Sequence, residues 1–223
     1  PPHFESVSPQ YEVNLGHVLP PSLEDANAGE MQGTSALLPV SWQRMNHDES
    51  LTDAALSPEI VVLTDALQLA SQPGKLPLAV LTLKHRFPGA LLWAPGLGGP
   101  DNIAVLASLG IDLFDLARCR EASANGVMLT PWGPRWPLGH EETTVEAQAY
   151  HMMKALDEVR SAVQSGQLRT LANRQSLSSP RLVEHLRRHQ ELMLNHTGNL
   201  ASHKPASMEF PCFSPNALSD PLV

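Results

Sequence analysis

Two aspartates, Asp65 and Asp115, are the residues of this sequence best placed to do chemistry. Asp65 follows the apolar run IVVL at 60–63, and Asp115 follows IDLF at 111–114. Runs this short, bounded by turn residues, read as buried parallel strands rather than helices. In parallel α/β folds, ligand-handling side chains gather at the carboxyl ends of the strands. Two carboxylates on that rim can divide labour, one as nucleophile and one as acid or base, when their surroundings separate their pKa values. Strand-end aspartates also do a plainer job, capping the next helix or binding loop amides, and periodicity alone favours that reading.

Between these strands runs a glycine loop, PGLGGP at 95–100. Gly96, Gly98 and Gly99 would let backbone approach a flat or anionic ligand, and the helix they open would favour negative charge at its start. The spacing is neither the dinucleotide fingerprint nor a P-loop, and a tight turn explains it equally well. Arg118 and Arg120 follow Asp115 closely enough to reach a phosphate, or to be surface charges. Trp132 and Trp136 could stack on a base, although aromatic residues in a proline-rich loop more often anchor packing. His185 and His189 have the i, i+4 spacing of a zinc pair but lack the HExxH glutamate. Lying among arginines, they read as a solvated helix face.

The elements that must position these groups follow from pattern. Strands are expected at 36–40, 60–63, 90–93 and 111–114. Helices are expected at about 66–71, 76–86 and 101–109, with Gly110 stopping the last. The internal proline of ALLPV makes that segment an edge strand or a strand end. Residues 1–40 read as irregular β structure, and 41–57 as a loop with one helical turn. Thr143 and Glu146 form a capping-box signature for a long helix to about Gln164, with Gly166 as terminator. Tyr150, Met153, Leu156 and Val159 give that helix an apolar face. Ser179 and Pro180 start a last helix, and the chain reads as loop from Asn195. The fold class is α/β: an abbreviated or incomplete (β/α) TIM-like barrel, with an N-terminal antiparallel β segment and C-terminal helices. It reads as one domain over 1–223, divided into a β segment at 1–57, a βα core at 58–135 and a helical and loop region at 136–223.

Composition narrows the function classes. The chain has 223 residues, a net charge of −8 and only 15 Lys plus Arg, so it is not by itself a strong phosphate-backbone binder. Its two cysteines, Cys119 and Cys212, are far apart, write no structural zinc site and suit a reduced cytosolic chain. No run is long and apolar enough to span a membrane, and no signal-peptide pattern opens the chain. A start without Met and an end in mid-pattern suggest part of a longer protein.

Three stretches carry a family resemblance. GLGGPDNIAVLASLGIDLFDLARCREASANGVMLT resembles the part of tRNA-guanine transglycosylases from a GVGTPED-like loop through an ARGVDMFDC-like strand to an ARNGxxFT-like ending. VVLTDALQLA at 61–70 resembles their ILTDSGGFQ motif. VNLGHVLPP together with GTSALLPV is similar to their N-terminal region. The resemblance covers about 4–130. It implies that Asp115 is the nucleophile attacking the ribose anomeric carbon, and that Asp65 is a general acid/base near the base. Gly96, Gly98, Gly99, Gln68 and Asp112 are then candidate base- or ligand-binding residues, and Arg118 and Arg120 candidate RNA contacts.

The chain also departs from that family. Ala66-Leu67-Gln68 stand where the family has SGG, the base-binding GGLAVGE-like loop is missing, and Glu121 and Ala124 replace two arginines. The family's zinc motif is absent, so no metal and no cofactor are expected. This pattern of loss resembles the N-terminal transglycosylase-like domain of archaeosine synthases. Those proteins add an amine donor such as lysine to a 7-deazaguanine base already in tRNA, through a separate C-terminal module. The resemblance implies a cytoplasmic tRNA-modification protein with tRNA and the deazaguanine base as partners, and an amine donor handled outside this segment. The alternatives are a minimal transglycosylase working through a covalent Asp115 intermediate, and a non-catalytic structural or homodimerisation module.

Overall fold

In a computed structural model the protein is described over residues 37–47, 51 and 57–197. The irregular β structure expected before residue 37 and the loop expected beyond 197 lie outside those residues. Strand β1 (Leu37–Val40) leads into the short helix α1 (Trp42–His47). Strand β2 (Ile60–Leu63) is followed by α2 (Ala66–Ser71) and α3 (Lys75–Arg86), and β3 (Leu91–Trp93) by α4 (Ile103–Leu109). Next come α5 (Ala117–Ala124) and a hairpin of β4 (Met128–Thr130) and β5 (Gly133–Arg135). Three helices close the order: α6 (Val145–Gln164), α7 (Leu168–Ser176) and α8 (Pro180–Thr197).

β1, β2 and β3 form a parallel sheet in that order, with Val40 opposite Leu63 and Val62 opposite Trp93. β1 therefore runs parallel to its neighbour, not antiparallel as the N-terminal segment was expected to run. Pro39 is tolerated in it because, among the described residues, β1 stands at the end of the sheet, where a missing N–H removes no ladder bond. The strand expected at 111–114 shrinks to a single parallel bridge between Trp93 and Leu113. Asp112 is the reason it stays short: its Oδ2 accepts from the Leu92 amide at 2.7 Å, so a side chain fills a ladder position. The result is a mixed α/β chain with a small parallel sheet, and no closed barrel is present among the described residues.

Helix α4 is the centre of the packing. IAVLASL is apolar almost all round, the signature of a helix with neighbours on every side. Val105, Leu106 and Leu109 join the main cluster with Val61, Leu63, Leu76, Val80, Leu83, Leu182 and Leu186. Ile103 and Ala104 face a second cluster of Cys119, Ala122, Leu129, Met152, Ala155 and Val159. Gly110 ends α4 with φ 107°, and its amide reaches back to the Leu106 and Ala107 carbonyls, the stop read from sequence.

Three readings of the C-terminal helices need correction. The N-cap of α6 is Thr144, whose hydroxyl accepts from the Ala147 amide at 3.2 Å, so the expected box between Thr143 and Glu146 does not form. The buried face of α6 is Gln148, Met152, Ala155, Val159 and Ala162, while Tyr150 and Met153 are exposed. Of the apolar stripe read from sequence, Val159 is buried and Leu156 packs against the second cluster, but Tyr150 and Met153 lie off the buried face, where Gln148 is drawn inward by two backbone partners instead. His185 and His189 are buried rather than solvated, at 2% and 5% exposure. The inner face of α8 alternates Leu182, His185, Leu186 and His189 against the core, and its arginines point outward.

Candidate functional site

The carboxyl rim of the sheet brings Asp65 and Asp115 to one edge. Asp65 stands two residues past the end of β2, and Asp115 two residues past Leu113, the bridge partner of β3. Their strands are two positions apart, about 10 Å at ordinary interstrand spacing.

Asp115 is half-buried and heavily engaged. Its Oδ2 accepts from the Trp93 indole N–H at 3.0 Å and from the Gly96 amide at 2.9 Å. Its Oδ1 accepts from the Ala117 amide at 2.8 Å, at the start of α5. Three of the roughly four acceptor sites of a carboxylate are thus filled. The side chain ties the end of β3, the glycine loop and α5 together.

Asp65 is different. Its Oδ2 accepts only the Trp42 amide, at 3.0 Å, which fastens the first turn of α1 to the end of β2. Its Oδ1 is buried and has no hydrogen-bond partner. Burial pushes the carboxyl pKa above its usual value, and the Trp42 and own-backbone amides only partly oppose this.

The glycine loop faces inward, and every residue from Ala94 to Pro100 is buried. Gly96 sits at φ 71°, a backbone conformation that costs glycine nothing. A Cβ on Gly98 would lie 2.8 Å from the Phe114 ring and 3.4 Å from Met152 Cε. One on Gly99 would strike the Arg118 guanidinium. These glycines serve close packing of the loop against its own chain. Asn102 stitches the loop further, accepting from the Gly99 amide at 2.8 Å and donating to the Leu97 carbonyl at 2.9 Å.

The start of α4 is not open to an anion. Gln175, on α7, accepts from the Ala104 and Val105 amides at 2.7 and 3.3 Å and donates to the Pro100 carbonyl at 2.8 Å. A neutral buried amide thus satisfies the N–H groups that sequence had offered to a ligand.

The remaining predicted residues scatter. Arg118 makes a two-pronged pair with Asp101 at 2.5 and 2.7 Å and braces the loop. Arg120 is exposed on α5, and Gln68 is exposed on α2. Asp112 lies back along the sheet, paired with Lys84 and the Leu92 amide. Asp115, Gly96, Gly98, Gly99 and Arg118 therefore form one connected unit, Asp65 stands on the same rim, and Asp112, Gln68 and Arg120 are elsewhere. Among the described residues, no three His, Cys, Asp or Glu side chains cluster as metal ligands. Cys119 is fully buried and its thiol is pushed up to about 11, mainly by burial, which makes it unreactive near neutral pH.

Residues that the sequence reading missed do much of the positioning. Gln175 is one. Gln148 is another, accepting from the Leu129 amide at 3.1 Å and donating to the Val127 carbonyl at 2.5 Å. A glutamine inside a helical apolar stripe is the only sequence signal either offers. Trp132 and Trp136 do not anchor packing: they are 68% and 72% exposed. No protein-family profile matches this chain, and no curated protein matches its sequence. No helix among the described residues is long and apolar enough to cross a membrane.

Proposed function

We propose that this chain is a transglycosylase-like domain of an archaeosine-synthase-type protein, holding a 7-deazaguanine base of tRNA for a reaction completed by another module. The observation that carries the reading is the common rim. Asp65 and Asp115, the two aspartates that match the family's motifs, follow parallel strands and meet the same edge of the sheet. The amine donor belongs to the other module, and the work belongs in the cytoplasm with tRNA.

Within this reading Asp115 is an anchor rather than a nucleophile. Attack on a ribose carbon needs a carboxylate oxygen with a free approach, and this side chain already holds Trp93, Gly96 and Ala117. Asp65 is the better base contact. Its single amide partner and raised pKa suit a carboxyl that turns its covered, unpartnered oxygen toward a ring N–H of the base and shares a proton or hydrogen bond with it.

The test is binding of tRNA carrying 7-cyano-7-deazaguanine against the same tRNA carrying guanine, with wild type, Asp65→Asn and Asp115→Asn. The expected result is preference for the modified tRNA, lost about tenfold in Asp65→Asn, with no covalent adduct trapped by any of the three. Equal binding of both tRNAs, or none, by a folded wild type sinks the proposal. A trapped adduct that Asp115→Asn abolishes transfers the reading to a minimal transglycosylase.

A further inference from the structure

We infer that His185 is a proton-operated latch: neutral, it holds α8 against the corner between α2 and α3, and a proton taken up by its ring in mild acid releases that helix. His185 stands at the joint. Its imidazole is buried, and the Ala70 backbone of α2 accepts a hydrogen bond from it. One turn on, the Arg188 stem crosses the turn between α2 and α3, so closely that a Cβ on Gly74 would lie 3.2 Å from its Cγ. Leu182 and Leu186, beside the ring on the same face, enter the main core cluster.

The slot suits a neutral ring. Nδ1 is buried and has no hydrogen-bond partner, so it is Nε2–H that meets the Ala70 carbonyl. A proton on Nδ1 would add a second N–H and a positive charge. The oxygen within reach is Glu184 Oε2, 3.3 Å away, itself covered and without a hydrogen bond. The two atoms are close but misaligned, and the helix keeps them so. Side chains of consecutive residues leave the axis about 100° apart and do not face one another. Arg181 also draws on that carboxylate, with its guanidinium 3.8 Å from the same oxygen. Protonation in place therefore buries a cation without giving it a well-placed acceptor.

The elements packed around the ring bring no second carboxylate. Helix α8 packs on α3, α7 and α4 and meets α2 at Ala70. ALQLAS on α2 and IAVLASL on α4 hold no titratable side chain. On α3 the titratable groups are Lys75, which lies over the Trp42 ring, Lys84, paired with Asp112, Arg86, which donates to the Leu51 carbonyl, and the exposed His85. On α7 they are Arg174, paired with Glu158, and Arg169 beside Gln190. Along α8 itself, Arg181 and Arg188 stand about one turn to either side, Arg188 paired with Glu191, and His189 follows one turn on. Burial accordingly outweighs the pull of Glu184, and the His185 pKa lies below the ordinary 6.5. A group depressed in this way stabilises the docked helix above 6.5, and that contribution is lost as pH falls below it. The inference does not rest on the tRNA reading.

Hydrogen exchange of the full chain at about pH 7.5 and about pH 5.5, corrected for intrinsic rates, tests it with wild type, His185→Gln and Glu184→Gln. In wild type the protection of 181–194 should fall about tenfold in acid, the most that one proton yields a unit below the ordinary histidine value, while α4 keeps its protection. His185→Gln, whose amide can still donate to Ala70, should lose the pH dependence, and Glu184→Gln should keep it. An α8 whose protection ignores pH, or a His185→Gln chain that retains the dependence, overturns the inference. An NMR titration of the His185 ring needs no variant to fold. A midpoint below 6.5, lower still in Glu184→Gln, supports the latch, and a wild-type midpoint at or above 6.5 overturns it.

Discussion

Asp65 and Asp115 look alike in sequence and differ in structure. Each follows an apolar strand on the same rim, yet one carboxylate accepts three donors and the other accepts one while keeping an oxygen buried and bare. The difference lies in what comes next in the chain. After Asp115 the chain must turn straight into α5, and the glycine loop across from it has amides to satisfy. After Asp65 the chain enters α2 with no side-chain bond to that helix, so the carboxylate reaches sideways to α1. A fully satisfied carboxylate stabilises structure, and a half-satisfied one leaves capacity for a ligand.

Substitutions can break or sharpen that contrast. The largest effect is expected at Asp115→Ala, which strands the Trp93 indole N–H and the Gly96 and Ala117 amides. Chemical denaturation should register a loss of about 4 kcal/mol, and a loss below about 1 kcal/mol would remove the anchor role. Gln175→Ala tests the same loop from its far side. Two buried amides and the Pro100 carbonyl lose their partner, so about 3 kcal/mol should disappear from the unfolding free energy. Gly98→Ala probes the packing of the loop on Phe114 and should cost about 2 kcal/mol. If it costs nothing, the loop has room to spare and its glycines regain a ligand-facing role.

Asp65→Asn should go the other way and be the smallest. The folded pKa of Asp65 is raised, so ionisation works against the fold. Below the ordinary value of 3.8 the penalty is absent, and it grows as pH rises through the raised value. The amide keeps an acceptor for Trp42 without the charge. Thermal melts should therefore match wild type in acid and exceed it slightly at neutral pH. A lower melting temperature at neutral pH would mean that the carboxylate is satisfied after all.

What the sequence revealed was what repeats locally. IVVL, the Gly110 stop and the Ser179-Pro180 start each carry their own turn or strand chemistry, and each is found where it was expected. What it hid depends on distant partners. The fourth strand fails because Asp112 competes for the Leu92 amide, and the first half of α6 buries Gln148 and Met152 in place of Tyr150 and Met153 because Gln148 is pulled to β4. Helix α5 went unread because ARCREASA is too polar to display an apolar stripe, and α7 because its stripe of Leu168, Leu171 and Ala172 is short and set among arginines. The two aspartates were legible because strand ends are local, but their unequal engagement was not. It is set by Trp42 and Trp93, which lie 23 and 22 residues away.

Gln175 has a consequence for how the chain comes into being. Its partners Ala104, Val105 and Pro100 lie 71, 70 and 75 residues earlier. A nascent chain that has just completed the sheet and α4 therefore holds a helix start with buried, unanswered amides. The βα core at 58–135 is then not a unit that ripens on the ribosome and waits. It reaches its final form only when α7 emerges, so a chain truncated before Gln175 should stay loosely collapsed even though every strand of the sheet is already made.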